Sequence, residues 1–147
     1  MASARFEDNK DGSITDHEAD LMWAREDSWQ TQGAWLTWDE AKQYAQDLNN
    51  DQFAGYQDWR LPYKYELEGL YDATKPNKDK YDKEIGLNSV FPEGGLPNIW
   101  ALDGVGGDGF TLSLATGKMA LLYKSKSGRM ACRPVRGKHI AWTEHEK

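Results

Sequence analysis

The stretch Glu-Asp-Asn-Lys-Asp-Gly-Ser-Ile-Thr-Asp-His-Glu, running from Glu7 to Glu18, has the spacing of a calcium loop. Glu7, Asn9 and Asp11 stand where such a loop puts its first oxygen ligands. Gly12 stands at the sharp turn, Ile14 at the apolar position and Glu18 at the closing carboxylate. A calcium loop of this kind is entered from a helix, and the residues before Glu7 carry no helical stripe. Asn-Lys-Asp-Gly is also good hairpin chemistry, since Gly and Asn or Asp tolerate positive φ. The segment therefore reads as a β-hairpin, with a calcium site at Glu7, Asn9, Asp11 and Glu18 as the alternative.

A second glycine-rich segment, Asp-Gly-Val-Gly-Gly-Asp-Gly, begins at Asp103. It lacks the Lys-Ser/Thr of a phosphate-binding loop and reads as a mobile connection between strands. Asp103 and Asp108 could share a calcium ion with backbone carbonyls. The single cysteine, Cys132, sits in an alternating apolar segment, where a small buried thiol is the ordinary outcome. His17, His139 and His145 show no metal-type spacing, so neither a catalytic set nor a cofactor is expected. The last chemistry is recognition. Trp100, Phe110 and Tyr123 flank the glycine segment and the final hairpin, and Lys124, Lys126 and Arg129 cluster after them. Exposed rings beside cations suit a sugar bearing carboxylate or sulfate, with Arg offering bidentate contacts. The plainer alternative makes Trp100 and Phe110 core residues and the lysines guards of a strand edge.

Charge is unevenly distributed. The net charge is -6, yet no acidic residue lies between Asp108 and Glu144, and that span is rich in Lys and Arg. Such asymmetry points to a polyanionic partner, or to a basic strand pair that neutralises acidic helices beside it. Seven Trp and seven Tyr argue against disorder. No apolar run reaches the length of a membrane span and no leader pattern opens the chain, so membrane insertion is not expected; a nucleic-acid partner is not expected either.

These groups must be positioned by a single domain spanning residues 1–147, with its core over about 5–137 and a tail at 138–147. An opening hairpin is followed by a polar loop over 24–35. Thr37 with Glu40 forms a capping box, and Trp38, Ala41, Ala45 and Leu48 recur at helical spacing. A second helix is expected over about 63–71, with Leu67, Leu70 and Tyr71 facing inward. The charged segment from Asp72 and the Gly/Pro-rich segment from Gly86 read as loops. From Asn98 the period becomes two, giving a meander of about four strands, with Pro134 at an edge or bulge of the last. The class is α+β.

The words in this order resemble a family. Asp-Asn-Lys-Asp-Gly-Ser-Ile-Thr-Asp before Leu21-Met22-Trp23, then Thr37-Trp38, then Asp58-Trp59-Arg60-Leu61-Pro62 with Glu66-Leu67, then Cys132-Arg133-Pro134-Val135-Arg136-Gly137 are similar to the Lcl C-terminal domain family of bacterial surface proteins. The resemblance implies a C-type-lectin-like fold related to formylglycine-generating enzymes. In it the first and last strands pair, two helices pack on the sheet and loops carry binding. It implies an extracellular or periplasmic, non-catalytic adhesion module whose partner is a glycan or a cell-surface protein. Collagen-like parents imply a trimer as one oligomeric form. Members often carry a second cysteine near the position of Ala45 that pairs with the equivalent of Cys132; here that partner is missing.

Overall fold

The computed structural model describes residues 4–137. The tail at 138–147, with His139 and His145, lies outside the described residues. Strands β1 (Phe6–Asp8), β2 (Ser13–Asp16) and β3 (Leu21–Ala24) form an antiparallel meander. The candidate calcium loop is the β1–β2 turn, flanked by strands on both sides. Asp8 accepts the Lys10 N–H at 2.9 Å and Asp11 the Ser13 N–H at 3.0 Å, while Asn9 donates to Ser13 and Thr15. Glu7 pairs with His17 at 2.9 Å instead of turning towards Asp11. Gly12 has φ +92°, and a Cβ there would sit 2.8 Å from the Phe53 ring, so two independent reasons require glycine.

Asp16 ties the next turn. Its carboxylate accepts from Arg5 Nε and an Arg5 terminal nitrogen at 2.9 and 2.8 Å. It also accepts from the N–H groups of Glu18 and Ala19 and from the Trp23 indole. Trp23 is fully buried among Ile14, Leu67, Leu70, Ile99 and Leu112 in the larger core.

Helix α1 (Ser28–Gln32) was hidden in the polar segment after β3. It is one turn and a half long and has no apolar stripe. Capping chemistry makes it: buried Asp27 accepts the Gln30 N–H at 2.9 Å, and the Gln30 side chain accepts the Asp27 N–H. Helix α2 (Trp38–Asn50) starts at the expected Thr37–Glu40 box and buries Ala41, Tyr44 and Ala45. A 3₁₀ turn at Phe53–Gly55 and helix α3 (Lys64–Leu70) follow. The charged segment expected to be a loop contains a small hairpin, β4 (Pro76–Lys78) with β5 (Glu84–Gly86). Ile85 is its main apolar anchor, and Asn77 donates from its buried amide to the carbonyls of Phe91 and Asn88.

The third sheet holds β6 (Asn98–Val105), β7 (Asp108–Ser113), β8 (Met119–Tyr123) and β9 (Met130–Ala131) in the order β8-β7-β6-β9. The glycine segment expected to be a mobile loop is instead the paired end of β6 and β7. Val105 faces Asp108 across a two-residue turn, Gly106–Gly107, with Gly106 at φ +57°. That is the position where a II′ turn requires positive φ. Helix α3 packs with Ile99, Leu112 and Leu114 in the larger core. Helix α2 packs with Trp100, Met130 and Cys132 in a second core cluster. The closing segment changes sheets. β9 runs parallel to β6, whereas β10 (Val135–Arg136) runs antiparallel to β3, with Pro134 between them. The closing strand thereby joins the opening sheet, but at β3; β1 lies at the far edge of the order β1-β2-β3-β10, so the first and last strands share a sheet without the direct pairing that the resemblance implies. No helix among the described residues is long and apolar enough to cross a membrane.

The Asp16 cluster sets a pH dependence. Burial opposes its ionisation, but the bonds from Arg5, the Ala19 N–H and Trp23 outweigh burial and hold its pKa below the ordinary 3.8. A carboxylate lowered in the folded state contributes stability above its unfolded pKa, and loses it as pH falls through the folded value. Asp16→Asn should therefore cost about 2–4 kcal/mol near pH 7. Its stability should fall less steeply than wild type below about pH 4. Urea unfolding at stepped pH measures both, and parallel pH profiles would refute this role.

Candidate functional site

The expected binding residues are divided by the fold. Trp100 is fully buried, with its indole N–H donating to the Leu36 carbonyl at 2.9 Å. It supports the second core cluster and offers no face to a ligand, which corrects its placement among the contact residues. Asp103 accepts the Lys64 N–H at 2.9 Å and so caps α3. No group of three or more His, Cys, Asp or Glu among the described residues converges as a metal site; Asp103 lies in β6 and Asp108 in β7.

Asp108, Phe110 and Leu112 of β7 stand opposite Tyr123, Leu121 and Met119 of β8, so all six share one face. The Lys64 ammonium lies 4.1 Å from the Phe110 ring centre, and Tyr123 is 66% exposed. Lys124 goes the other way. Its ammonium lies 4.0 Å from the Trp38 ring centre, where Lys42 also sits at 4.6 Å, and it donates to the Gly106 carbonyl. Lys126 follows in the β8–β9 loop, its N–H closing a turn on the Tyr123 carbonyl.

Arg129 belongs to a different surface. Its guanidinium lies 5.5 Å from the Tyr81 ring centre. Lys80 lies 4.5 Å from the ring centre of Trp29 and 5.6 Å from that of Tyr81. Two cations and two rings are thus gathered from α1, the β4–β5 turn and the β8–β9 loop. Hydrogen bonds fix the backbone that carries Trp29, Lys80 and Tyr81. Asp79, almost fully buried, accepts the N–H groups of Tyr81 and Lys83 at 2.8 and 3.0 Å. The Lys80 N–H donates to Gly95. The Gln30 side chain donates to the carbonyls of Pro92 and Glu93, and Asp27 accepts the Leu96 N–H, which fixes the helix bearing Trp29. Trp35, 46% exposed, precedes Leu36, whose N–H donates to Met130, the residue after Arg129. Sequence reasoning found Arg129 but not Trp29, Lys80 or Tyr81. Their one signal was aromatic-cation adjacency at Lys80-Tyr81, inside a segment whose hairpin was not foreseen.

Concavities among the described residues lie elsewhere. A cleft of about 410 Å³ is lined by Arg5, Glu18, Asp72 and Lys75, and Arg5 is already engaged by Asp16. A more apolar cavity of about 260 Å³ lies between Gly12, Tyr44, Leu48 and Phe53.

Of the basic C-terminal residues, two serve the structure. Arg136 makes a two-point pair with Asp58 at 2.6 and 3.1 Å and covers the Tyr56 ring at 3.7 Å. Arg133 is buried, donates to the carbonyls of Ala24 and Arg25, and lies 4.9 Å from the Phe91 ring centre. Lys118, Lys124, Lys126 and Arg129 form no ion pair with a described carboxylate. Neutralisation accounts for only part of the charge asymmetry.

Cys132 is fully buried and faces α2, its thiol 3.8 Å from the Ala41 carbonyl. Burial, the dominant influence, pushes the thiol pKa far up, so the nucleophilic thiolate is suppressed. The native chain should leave a thiol reagent such as DTNB uncoloured over minutes, and the urea-unfolded chain should release one equivalent per chain. Fast native reaction would place Cys132 in an open site.

The motif Asp58-Trp59-Arg60-Leu61-Pro62 with Glu66 works as a clamp. Glu66 is buried and binds Arg60 at 2.8 and 3.0 Å while accepting the Tyr63 N–H at 2.7 Å. Arg60 reaches on to the Gly137 carbonyl and exchanges backbone bonds with Val135. Trp59 is held by the Asn49 side chain on both sides of its peptide and by the Phe53 carbonyl. Removing one partner of such a pair leaves a poorly solvated charge, so Glu66→Ala should cost about 3–5 kcal/mol by urea unfolding. A change under about 1 kcal/mol would show that the clamp is dispensable.

Comparison with known proteins follows these residues. No curated protein matches the chain at a significant level. The profile of the Lcl C-terminal domain matches residues 12–136, a span that runs from the Gly12 turn to the Arg136 strand and includes the Arg60–Glu66 clamp. The protein therefore belongs to the Lcl C-terminal domain family.

Proposed function

We infer that this domain is a non-catalytic recognition module that holds an acidic glycan at the Trp29–Lys80–Tyr81–Arg129 surface, displayed outside the cell or in the periplasm. The observation that carries the reading is the approach of Lys80 and Arg129 to the same Tyr81 ring, which is 38% exposed and set by a buried aspartate. A pyranose face can stack on such a ring while a carboxylate or sulfate meets the two cations. Preorganisation by Asp79 and Asp27 lowers the ordering cost of binding. The strongly perturbed buried groups, Asp27, Cys132 and Arg133, are engaged by backbone or core partners, which favours recognition over chemistry.

A glycan array comparing sulfated and uronate-bearing oligosaccharides with neutral ones tests this. The acidic sugars should bind and weaken as salt rises. Tyr81→Ala, and separately Lys80→Glu with Arg129→Glu, should each weaken binding about tenfold or more with little change in melting temperature. Retention of full affinity in both variants would remove this surface from the function.

A further inference from the structure

Strand β8 is an edge of the third sheet, and its two faces differ in kind. Met119, Leu121 and Tyr123 share the face that carries Phe110; Leu121 is 45% exposed. Ala120 and Leu122 alternate with them on the other face, where Leu122 packs against the second core cluster, and Lys118 and Lys124 flank the strand in the same alternation. The pairing also fixes which backbone groups are free. The Lys124 N–H donates to Gly107 and the Ser113 N–H to Lys118, so the even-numbered residues of β8 bond inward to β7. By that alternation the amides of Met119, Leu121 and Tyr123 point outward. The Tyr123 carbonyl is taken by Lys126, but among the described residues no main-chain partner meets the outward groups of Leu121.

Protected edges carry a charge, proline or bulge within the strand. Met119–Tyr123 has neither charge nor proline. Its cations stand at the ends instead, at Lys118, Lys124 and Lys126, and none is paired with a described carboxylate. An antiparallel second copy would bring Lys118 and Lys124 opposite each other, a like-charge contact. An acidic segment meets complementary charge at the same positions.

We propose that β8 accepts an extended acidic segment of a partner protein as an added strand, with the partner's apolar residues over Leu121 and Tyr123 and its alternating carboxylates beside Lys118 and Lys124. The added strand extends the order to partner-β8-β7-β6-β9, its main-chain bonds giving affinity and its alternation giving specificity. This surface is separate from the glycan surface at Tyr81, so either can fail alone.

The probe is a short, end-blocked peptide of alternating Glu and Val, titrated into the full chain at low salt and followed by amide chemical shifts. Saturable binding with shifts centred on Leu121 and Tyr123 is expected. The same peptide N-methylated at alternate amides, which cannot pair with a strand edge, should bind about tenfold or more weakly. A Lys-Val peptide should not bind, and Lys118→Glu should weaken the acidic peptide while leaving the melting temperature unchanged. Equal binding by the N-methylated peptide, absence of binding at low salt, or self-association of the chain through these amides would each overturn the proposal.

Discussion

The fold depends on one short segment, residues 130–136, that belongs to two sheets. Met130 and Ala131 lie parallel to β6, and Val135 and Arg136 lie antiparallel to β3. A chain can pass between sheets only if the backbone groups at the crossing find partners elsewhere. Here the Ser28 hydroxyl accepts the Cys132 N–H, the Ser28 N–H donates to the Cys132 carbonyl, and the Ala24 N–H donates to the Pro134 carbonyl. Proline, which has no N–H to satisfy, occupies the crossing itself. Arg133 fills the space between sheets, bonded to two carbonyls at the end of β3 and stacked near Phe91. A buried guanidinium is expensive, and its Nε finds no partner.

The residues that carry the resemblance gather around that crossing. Arg60 and Glu66 brace it through Val135 and Gly137, Asp58 holds Arg136, and Asp16 secures the turn before the strand that β10 joins. The motif is thus a description of how the scaffold closes. The residues of the proposed glycan surface sit outside it, on α1, the β4–β5 turn and the β8–β9 loop, where side chains can change without loosening the crossing. Family membership therefore specifies a frame and leaves the occupant of its surfaces to loop chemistry.

What was legible in the sequence follows the same division. The capping box at Thr37, the stripe of α2 and the strand at Phe110–Leu112 are local signals, and the structure carries each; Pro134, expected at an edge or bulge of one closing strand, instead separates β9 from β10. Helix α1 and the β4–β5 hairpin have no periodic apolar pattern. They exist because Asp27 and Asp79, two buried carboxylates, each satisfy backbone N–H groups. The Gly106–Gly107 turn was read as slack, although glycine there makes a tight pairing of β6 with β7. The candidate site suffered most, since its residues come from segments far apart in sequence. For Trp100 the sequence left a contact role and a core role both open, and the packing of α2 over it decides for the core.

The late position of the crossing has a consequence for biosynthesis. Neither main sheet has its full set of strands until residues 130–136 have left the ribosome, because β9 completes one and β10 the other. The nascent chain must hold more than a hundred residues with incomplete edges at β3 and β6, so closure is governed by contacts very distant in sequence. A chaperone that shields those edges during synthesis, or an export route that carries the chain unfolded, would relieve the same exposure.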